Sequence, residues 1–127
     1  MVTDTDVVNA WRELLSRHAS TWCELDRELN ERYGLGASEF EVLDRLAEGV
    51  KDAYRVQELG AMVFLSQSAL SRLIGRLETK GLVVRSMCDS DRRGISVCLT
   101  DAGRELYAAA KPTHRSVLAA SFADAPA

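Results

Sequence analysis

The alternation of apolar and polar positions is clearest between residues 65 and 103. Apolar residues recur there at i, i+3, i+4 and i+7, namely at Leu70, Leu73, Ile74 and Leu77. This spacing predicts an amphipathic helix with one buried stripe. Ser66 stands where an N-cap belongs and Gly81 where a left-handed C-cap is favoured, so we expect the helix over about residues 67–80.

The opposite face of this helix carries small, hydrogen-bonding or cationic residues: Ser68, Ser71, Arg72, Gly75, Arg76 and Thr79. Glu78 is the only acid of the helix, and it lies off the centre of that face. Small residues allow close approach to a DNA groove, while Ser, Gln and Arg side chains can bond base edges or phosphates. A solvated face usually mixes Glu with Lys, so this composition favours contact with DNA.

A predicted β-hairpin follows at once. Residues 82–87 and 95–99 are β-prone runs, and the turn-rich loop between them ends in Arg92, Arg93 and Gly94. A helix with a cationic face followed by a basic-tipped hairpin is typical of a winged helix-turn-helix. The wing would then place an arginine in the minor groove, where negative potential is concentrated.

Three motifs in this stretch resemble the MarR-type transcriptional regulators. They are Ser66-x-Ser68-x-x-Ser71-Arg72-Leu73, Arg76-Leu77-Glu78-x-x-Gly81-Leu82-Val83-x-Arg85, and Asp91-x-Arg93-x-x-x-Val97-x-Leu99-Thr100-x-x-Gly103. Their order and spacing agree with the family, and nearly the whole chain takes part. The resemblance implies a mostly α fold with a small β-hairpin, a winged helix-turn-helix with long N- and C-terminal dimerisation helices.

Composition sets the limits of the fold. The 127 residues are enough for one domain, and 46% hydrophobic and 28% charged residues are ordinary globular values. No apolar run is long enough for a transmembrane helix and the polar start is no signal peptide, so we expect a cytoplasmic protein. Three cysteines without metal-binding spacing predict reduced thiols.

The net charge of −3 argues against nucleic acid, but the distribution of charge reverses that conclusion. Residues 1–65 carry seven basic and thirteen acidic side chains, whereas residues 66–93 carry six basic and three acidic ones. Positive charge is therefore concentrated in the proposed DNA-contacting helix and wing, as a DNA-binding surface requires.

A long first helix is predicted over residues 7–33. Its apolar and aromatic positions follow a heptad-like spacing, at Trp11, Leu15, His18, Trp22, Leu25 and Leu29. Such a helix has more apolar edge than one small core requires, which favours a subunit interface. A long core helix is the alternative, since short heptad runs also pack inside bundles.

Glycines and caps divide the middle of the chain. Gly34 and Gly36 end the first helix, and Ser38-x-x-Glu41 predicts a capping box for a second helix with Phe40, Leu43 and Leu46 inward. Residues 51–55 form a polar connector, where the family often has a short strand. Residues 56–63 are the supporting helix, and Gly60 within it costs up to about 1 kcal/mol.

The last predicted helix begins after Thr100, and Pro112 should kink or interrupt it. We therefore expect one domain over 1–127, with a DNA-binding lobe over about 38–99 and dimerisation helices over about 6–33 and 100–122. Family members generally continue into a further helix that completes the dimer. That helix is absent here, so either the protein is naturally short or the chain has been cut.

No catalytic set, phosphate loop or two-histidine metal motif is found, so neither an enzyme nor a metal or cofactor site is expected. The first functional hypothesis is a repressor that binds a palindromic operator as a homodimer. The alternative is a winged-helix module for protein interaction, or a regulator that no longer binds DNA.

The resemblance assigns roles in DNA binding to particular residues. Gln67, Ser68, Ser71 and Arg72 would lie nearest the bases and Arg76 nearer the phosphates. Arg93 would enter the minor groove, oriented by Asp91, and Arg92 would face the backbone.

The family also implies an effector. Most relatives release DNA when a small molecule binds between the first helix and the DNA-binding lobe. The branch that senses urate and related aromatic anions suggests Trp11, Asp52 and Arg85 as ligand contacts, with Arg93 as a further candidate. A tryptophan of the core or interface is the alternative for Trp11. Some relatives sense oxidants through a first-helix cysteine, but no basic pair accompanies Cys23, so a buried structural thiol is favoured.

Overall fold

The computed structural model describes residues 1–51, 53–87 and 95–123, which form five helices and three strands. In chain order they are α1 (Asp4–Tyr33), α2 (Ala37–Glu48), β1 (Tyr54–Arg55), α3 (Val56–Val63), α4 (Gln67–Thr79), β2 (Val83–Met87), β3 (Ile95–Leu99) and α5 (Asp101–Ser121). The predicted mostly helical winged-helix fold is confirmed. None of these helices combines the length and apolarity that crossing a membrane requires.

The apolar stripe of α4 forms the centre of the core. Leu70, Leu73, Ile74 and Leu77 are each at most 1% exposed. They join buried residues of α2, α3 and the sheet, among them Phe40, Leu43, Leu59, Val83 and Val97. Burial of this stripe fixes which face of α4 is left for solvent. Its bounds agree with the prediction to within one residue, and Gly81 has the expected left-handed backbone, at φ 75°.

The sheet is antiparallel, in the order β1-β3-β2. Val83 pairs with Leu99 and Met87 with Ile95, so the predicted hairpin strands are in register over their full length. The connector over residues 51–55 supplies β1, which adds Tyr54 and Arg55 beside Val97 and Ser96 of β3.

Helix α2 begins earlier than its predicted capping box. Gly36, not Ser38, is the N-cap, and its backbone N–H donates to Oε1 of Glu39 at 2.8 Å. The other carboxylate oxygen of Glu39 accepts from Nζ of Lys80 at 2.7 Å. The Ser38–Glu41 box was therefore wrong, because the buried Glu39 is held by groups from α2 and α4 at once. Glu41 instead pairs with Arg45.

Helix α1 begins three residues before its predicted start. The Thr3 hydroxyl accepts from the backbone N–H of Asp6, and the Asp6 carboxylate accepts from the Thr3 N–H, each at 3.1 Å. The heptad-like positions of this helix differ in burial. Leu25 and Leu29 are buried, whereas Trp11 and Leu15 are 56% and 46% exposed.

Helix α5 packs along α1 and continues through Pro112, so Pro112 does not interrupt it, and the alternative of a kink stays a prediction. Pro112 is exposed, and the carbonyl that loses its helical partner can turn toward water. Near its start, at Gly103, helix α5 packs closely against the backbone of Leu82. A Cβ on Gly103 would lie 2.1 Å from the carbonyl oxygen of Leu82, so only glycine fits there.

Candidate nucleic-acid interface

The face of α4 opposite the buried stripe is presented to solvent. Its exposed residues are Gln67, Ser68, Ser71, Arg72, Arg76 and Thr79. The Ser66 hydroxyl caps the helix by accepting from the backbone N–H of Ala69 at 3.2 Å. Five of the seven residues to which the sequence assigns DNA contacts are thus brought together on one helical face.

The two arginines of this face are available to an external anion. Within the described ranges, neither Arg72 nor Arg76 forms an ion pair or side-chain hydrogen bond. The neighbouring cations, by contrast, are engaged: Nζ of Lys80 lies 2.7 Å from Glu39, and Nε of Arg85 lies 2.8 Å from Glu78. The Arg85 contact also occupies the only carboxylate of α4, so the face is cationic.

Gly75 lies in the middle of α4, where packing against the described residues does not require a glycine. A Cβ at this position would meet no atom within 4 Å. Glycine in a helix interior costs roughly 0.5–1 kcal/mol relative to alanine. Its small size therefore leaves the exposed face flat and does nothing for the packing of the core.

The wing is described only in part. Its strands β2 and β3 continue from the end of α4, so the hairpin projects from the same lobe. Asp91, Arg92 and Arg93 at its tip lie outside the described residues, as does Asp52. Their proposed roles stay predictions.

A polar network joins this lobe to α5. The Asp44 carboxylate on α2 accepts from Nη1 and Nη2 of Arg115, at 3.1 and 2.9 Å, and from the Tyr107 hydroxyl at 2.6 Å. Burial alone would raise the pKa of Asp44, but these hydrogen bonds and the guanidinium charge outweigh it and hold the pKa below its ordinary value. Burial and the hydrogen bond to Asp44 raise the pKa of Tyr107.

His114 lies beside this network and was not recognised as a site residue from sequence. Its ring stacks on Phe40 with centroids 4.4 Å apart, and its Nδ1 accepts from Nη1 of Arg115 at 2.7 Å. Burial, together with the Arg115 charge, lowers its pKa, which favours the neutral imidazole. No local motif could have revealed it, because its partners on α2 are about 70 residues away in sequence.

A cavity of about 950 Å³ lies between α1, α2, the end of α3 and α5. Its aromatic lining comes from His18, Trp22, Phe64 and Phe122, and Arg17 faces it from α1. Trp11 and Arg85, the ligand candidates from sequence, are not among the described residues that line it. The heptad pattern included Trp22 but gave no sign that it faces a cavity.

Cys23 corrects another expectation. Its side chain is exposed on α1, so it is not the buried structural thiol that the sequence favoured. Residues before and after it, such as Thr21 and Leu25, take the inward positions of that helical turn.

Comparison with known proteins gives the family. Residues 33–94 match a model described as MarR family. The structure of AbsC, a MarR family transcriptional regulator from Streptomyces coelicolor, superposes with a TM-score of 0.84 at 34% identity, over 100% of this chain and 84% of that chain. The chain therefore belongs to the MarR family, a family of transcriptional regulators and not of enzymes.

Two further relatives are informative. Sco3205 from the same organism, a MarR family regulator solved in complex with DNA, has a TM-score of 0.85 and 29% identity over 100% of this chain and 79% of that one. The regulator SarZ of Staphylococcus saprophyticus is 32% identical in an alignment of 85 residues that covers 63% of this chain and 58% of SarZ. The chain thus spans less than two thirds of the length of this curated relative.

Proposed function

We propose that this protein is a cytoplasmic transcriptional repressor that binds a palindromic operator as a homodimer. The observation that carries the proposal is the exposed face of α4, with two arginines that have no carboxylate partner in the described part of the chain. Such groups bind phosphates and guanine edges. The complex of its relative Sco3205 with DNA supports the same use of the fold.

Dimerisation is supported by an exposed apolar edge near the start of α1. Val7, Trp11 and Leu14 are 56%, 56% and 59% exposed, which leaves a continuous apolar edge on one helix. A second copy of the chain would bury this edge and place two α4 helices about one DNA turn apart. Linked half-sites bind far more tightly than one half-site can.

The assembly is tested by sedimentation over a range of protein concentrations. We expect a dimer that dissociates on dilution, and a Trp11→Glu variant that remains monomeric while keeping its helical circular dichroism. A parent protein that stays at 14.0 kDa at high micromolar concentration contradicts the dimer.

The DNA target is tested by selecting binding sites from random duplexes. Two inverted half-sites are expected in the selected consensus, because a two-fold symmetric dimer reads each half identically. Recovery of no enriched sequence would instead support the alternative of a protein-interaction module. A promoter-overlapping site that blocks transcription in a purified system would establish repression.

We further propose that a small aromatic anion is the effector and binds in the cavity between α1 and α5. Arg17 and His18 line it, and among the described residues neither pairs with a carboxylate. The Arg17 guanidinium lies 5.9 Å from the Phe122 ring centroid, and His18 stacks on Trp22 at 5.9 Å. An anionic group beside a flat ring suits these contacts.

Fluorescence separates this site from the one that the sequence suggested at Trp11, Asp52 and Arg85. Salicylate or urate should quench the Trp11→Phe variant, which retains Trp22, and should leave Trp22→Phe unchanged. The reverse pattern would return the effector site to Trp11. No response of either variant at millimolar anion removes the effector proposal.

A further inference from the structure

We propose that Glu41, Asp44 and His114 form a binding site for a divalent transition-metal ion of the zinc class. Each side chain offers one ligand atom, and these atoms lie within 4.8 Å of one another. In a tetrahedral zinc site the ligand atoms are roughly 3.3 Å apart, given metal–ligand bonds of about 2.0 Å. Small rotations of the three side chains would therefore close the site around an ion.

The donor set is that of an open metal site. One imidazole nitrogen and two carboxylates provide three ligands, and a fourth position remains for water. All three residues line the cavity, so an ion can enter from solvent. His114 is only 6% exposed, and one of its ring nitrogens has no partner among the residues that the structure describes.

In the structure a cationic side chain already contacts two of the three proposed ligand residues. The Arg115 guanidinium bonds both carboxylate oxygens of Asp44 and Nδ1 of His114. The side chain of Arg115 is 39% exposed, so it can swing into solvent and give up its place. Among the residues that the structure describes, Glu41 is held only by a long contact of 3.3 Å to Nε of Arg45. A divalent ion would thus exchange with Arg115, and either cation links α2 to α5.

Because the metal ion would compete with Arg115 for the same ligand residues, substitutions of neighbouring residues should change the metal affinity in opposite directions. Glu41→Gln and His114→Gln each remove a ligand and should weaken metal binding by about tenfold or more, the scale of losses seen when metal sites are altered. Arg115→Gln removes the competing cation and should strengthen binding. Glu24→Gln, an exposed carboxylate of α1 that does not line this cavity, is the control and should leave the affinity unchanged.

The experiment titrates the full chain with Zn²⁺ by calorimetry and with Co²⁺ by absorption. We expect one ion per chain, with visible Co²⁺ bands and without the near-ultraviolet band of a thiolate ligand. Circular dichroism reports folding of each variant. Should His114→Gln fail to fold, Glu41→Gln on the outer part of α2 carries the test.

Three results would overturn the proposal: no saturable binding, a thiolate band, or an affinity that neither Glu41→Gln nor Arg115→Gln alters. The first would exclude the site, the second would place the ion on a cysteine, and the third would identify an adventitious ion only. Metal binding is measured without DNA, so its failure leaves the proposed regulatory function standing.

Discussion

The carboxylate of Asp44 and the guanidinium of Arg115 form a two-point ion pair between α2 and α5, with N–O distances of 2.9 and 3.1 Å. The two residues are 71 positions apart in the chain. Phe40 and Tyr107 stack beside them with ring centroids 5.4 Å apart. Helices α2 and α5 are therefore joined by an ion pair and by an aromatic contact at the same place, the Asp44–Arg115 junction.

Replacing Asp44 with alanine should lower the free energy of unfolding by about 1–3 kcal/mol, because Arg115 and the part-buried Tyr107 hydroxyl lose their shared acceptor. The measurement is denaturation by urea. The control is Glu24→Ala, which removes an exposed ion pair with Arg27 and should change stability far less than Asp44→Ala does. Equal urea midpoints for the two variants would show that the Asp44–Arg115 junction contributes nothing to stability.

Leu73→Ala should destabilise the domain by roughly 2–5 kcal/mol, since it opens a cavity in a fully packed stripe. Ser71→Ala, on the exposed face of the same helix, should leave the melting temperature nearly unchanged. Calorimetric melting of both variants decides the matter. If Leu73→Ala melts with the parent, the assignment of the two faces of α4 is wrong.

Two glycines should respond to alanine in opposite directions. Gly103→Ala forces the start of α5 away from the Leu82 carbonyl and should cost about 1–3 kcal/mol. Gly75→Ala has open space and should stabilise the helix by roughly 0.5–1 kcal/mol. We also expect Gly75→Ala to bind DNA more weakly than the parent, because it adds a methyl group to the contacting face. Thermal melts and DNA titrations of the same two preparations test both statements.

Most of the winged-helix lobe could be predicted from sequence because its signals are local. The i, i+3, i+4 spacing of Leu70, Leu73 and Ile74 and the cap at Ser66 specify α4 without reference to the rest of the chain. The hairpin follows equally from its β-branched runs.

The remaining features depend on tertiary contacts. Glu39 was not recognised as the capping residue of α2 because its position is set by Lys80, 41 residues later. The network of Asp44, Tyr107, His114 and Arg115 has no sequence motif, since α2 and α5 meet only in the folded chain. Exposure of Cys23 likewise depends on which face of α1 packs against α5.

Arg93→Ala should weaken operator binding by about 1–3 kcal/mol, the magnitude of a lost groove contact, without unfolding the domain. The prediction rests on its place at the tip of the sequence-predicted wing. Titration at low salt provides the measurement, with circular dichroism to confirm folding. Affinity equal to that of the parent would falsify the role of the wing.

The central claim is that the exposed face of α4 binds DNA, and titration of the selected duplex with matched arginine variants tests it most directly. Arg72→Ala should lose about 1–3 kcal/mol and relax base preference, whereas Arg76→Ala should weaken all duplexes alike and reduce the salt slope by about 1. Arg27→Ala removes the same charge from α1 and should bind as the parent does. If the folded Arg72 and Arg76 variants bind as tightly as Arg27→Ala, α4 is not the DNA-contacting helix.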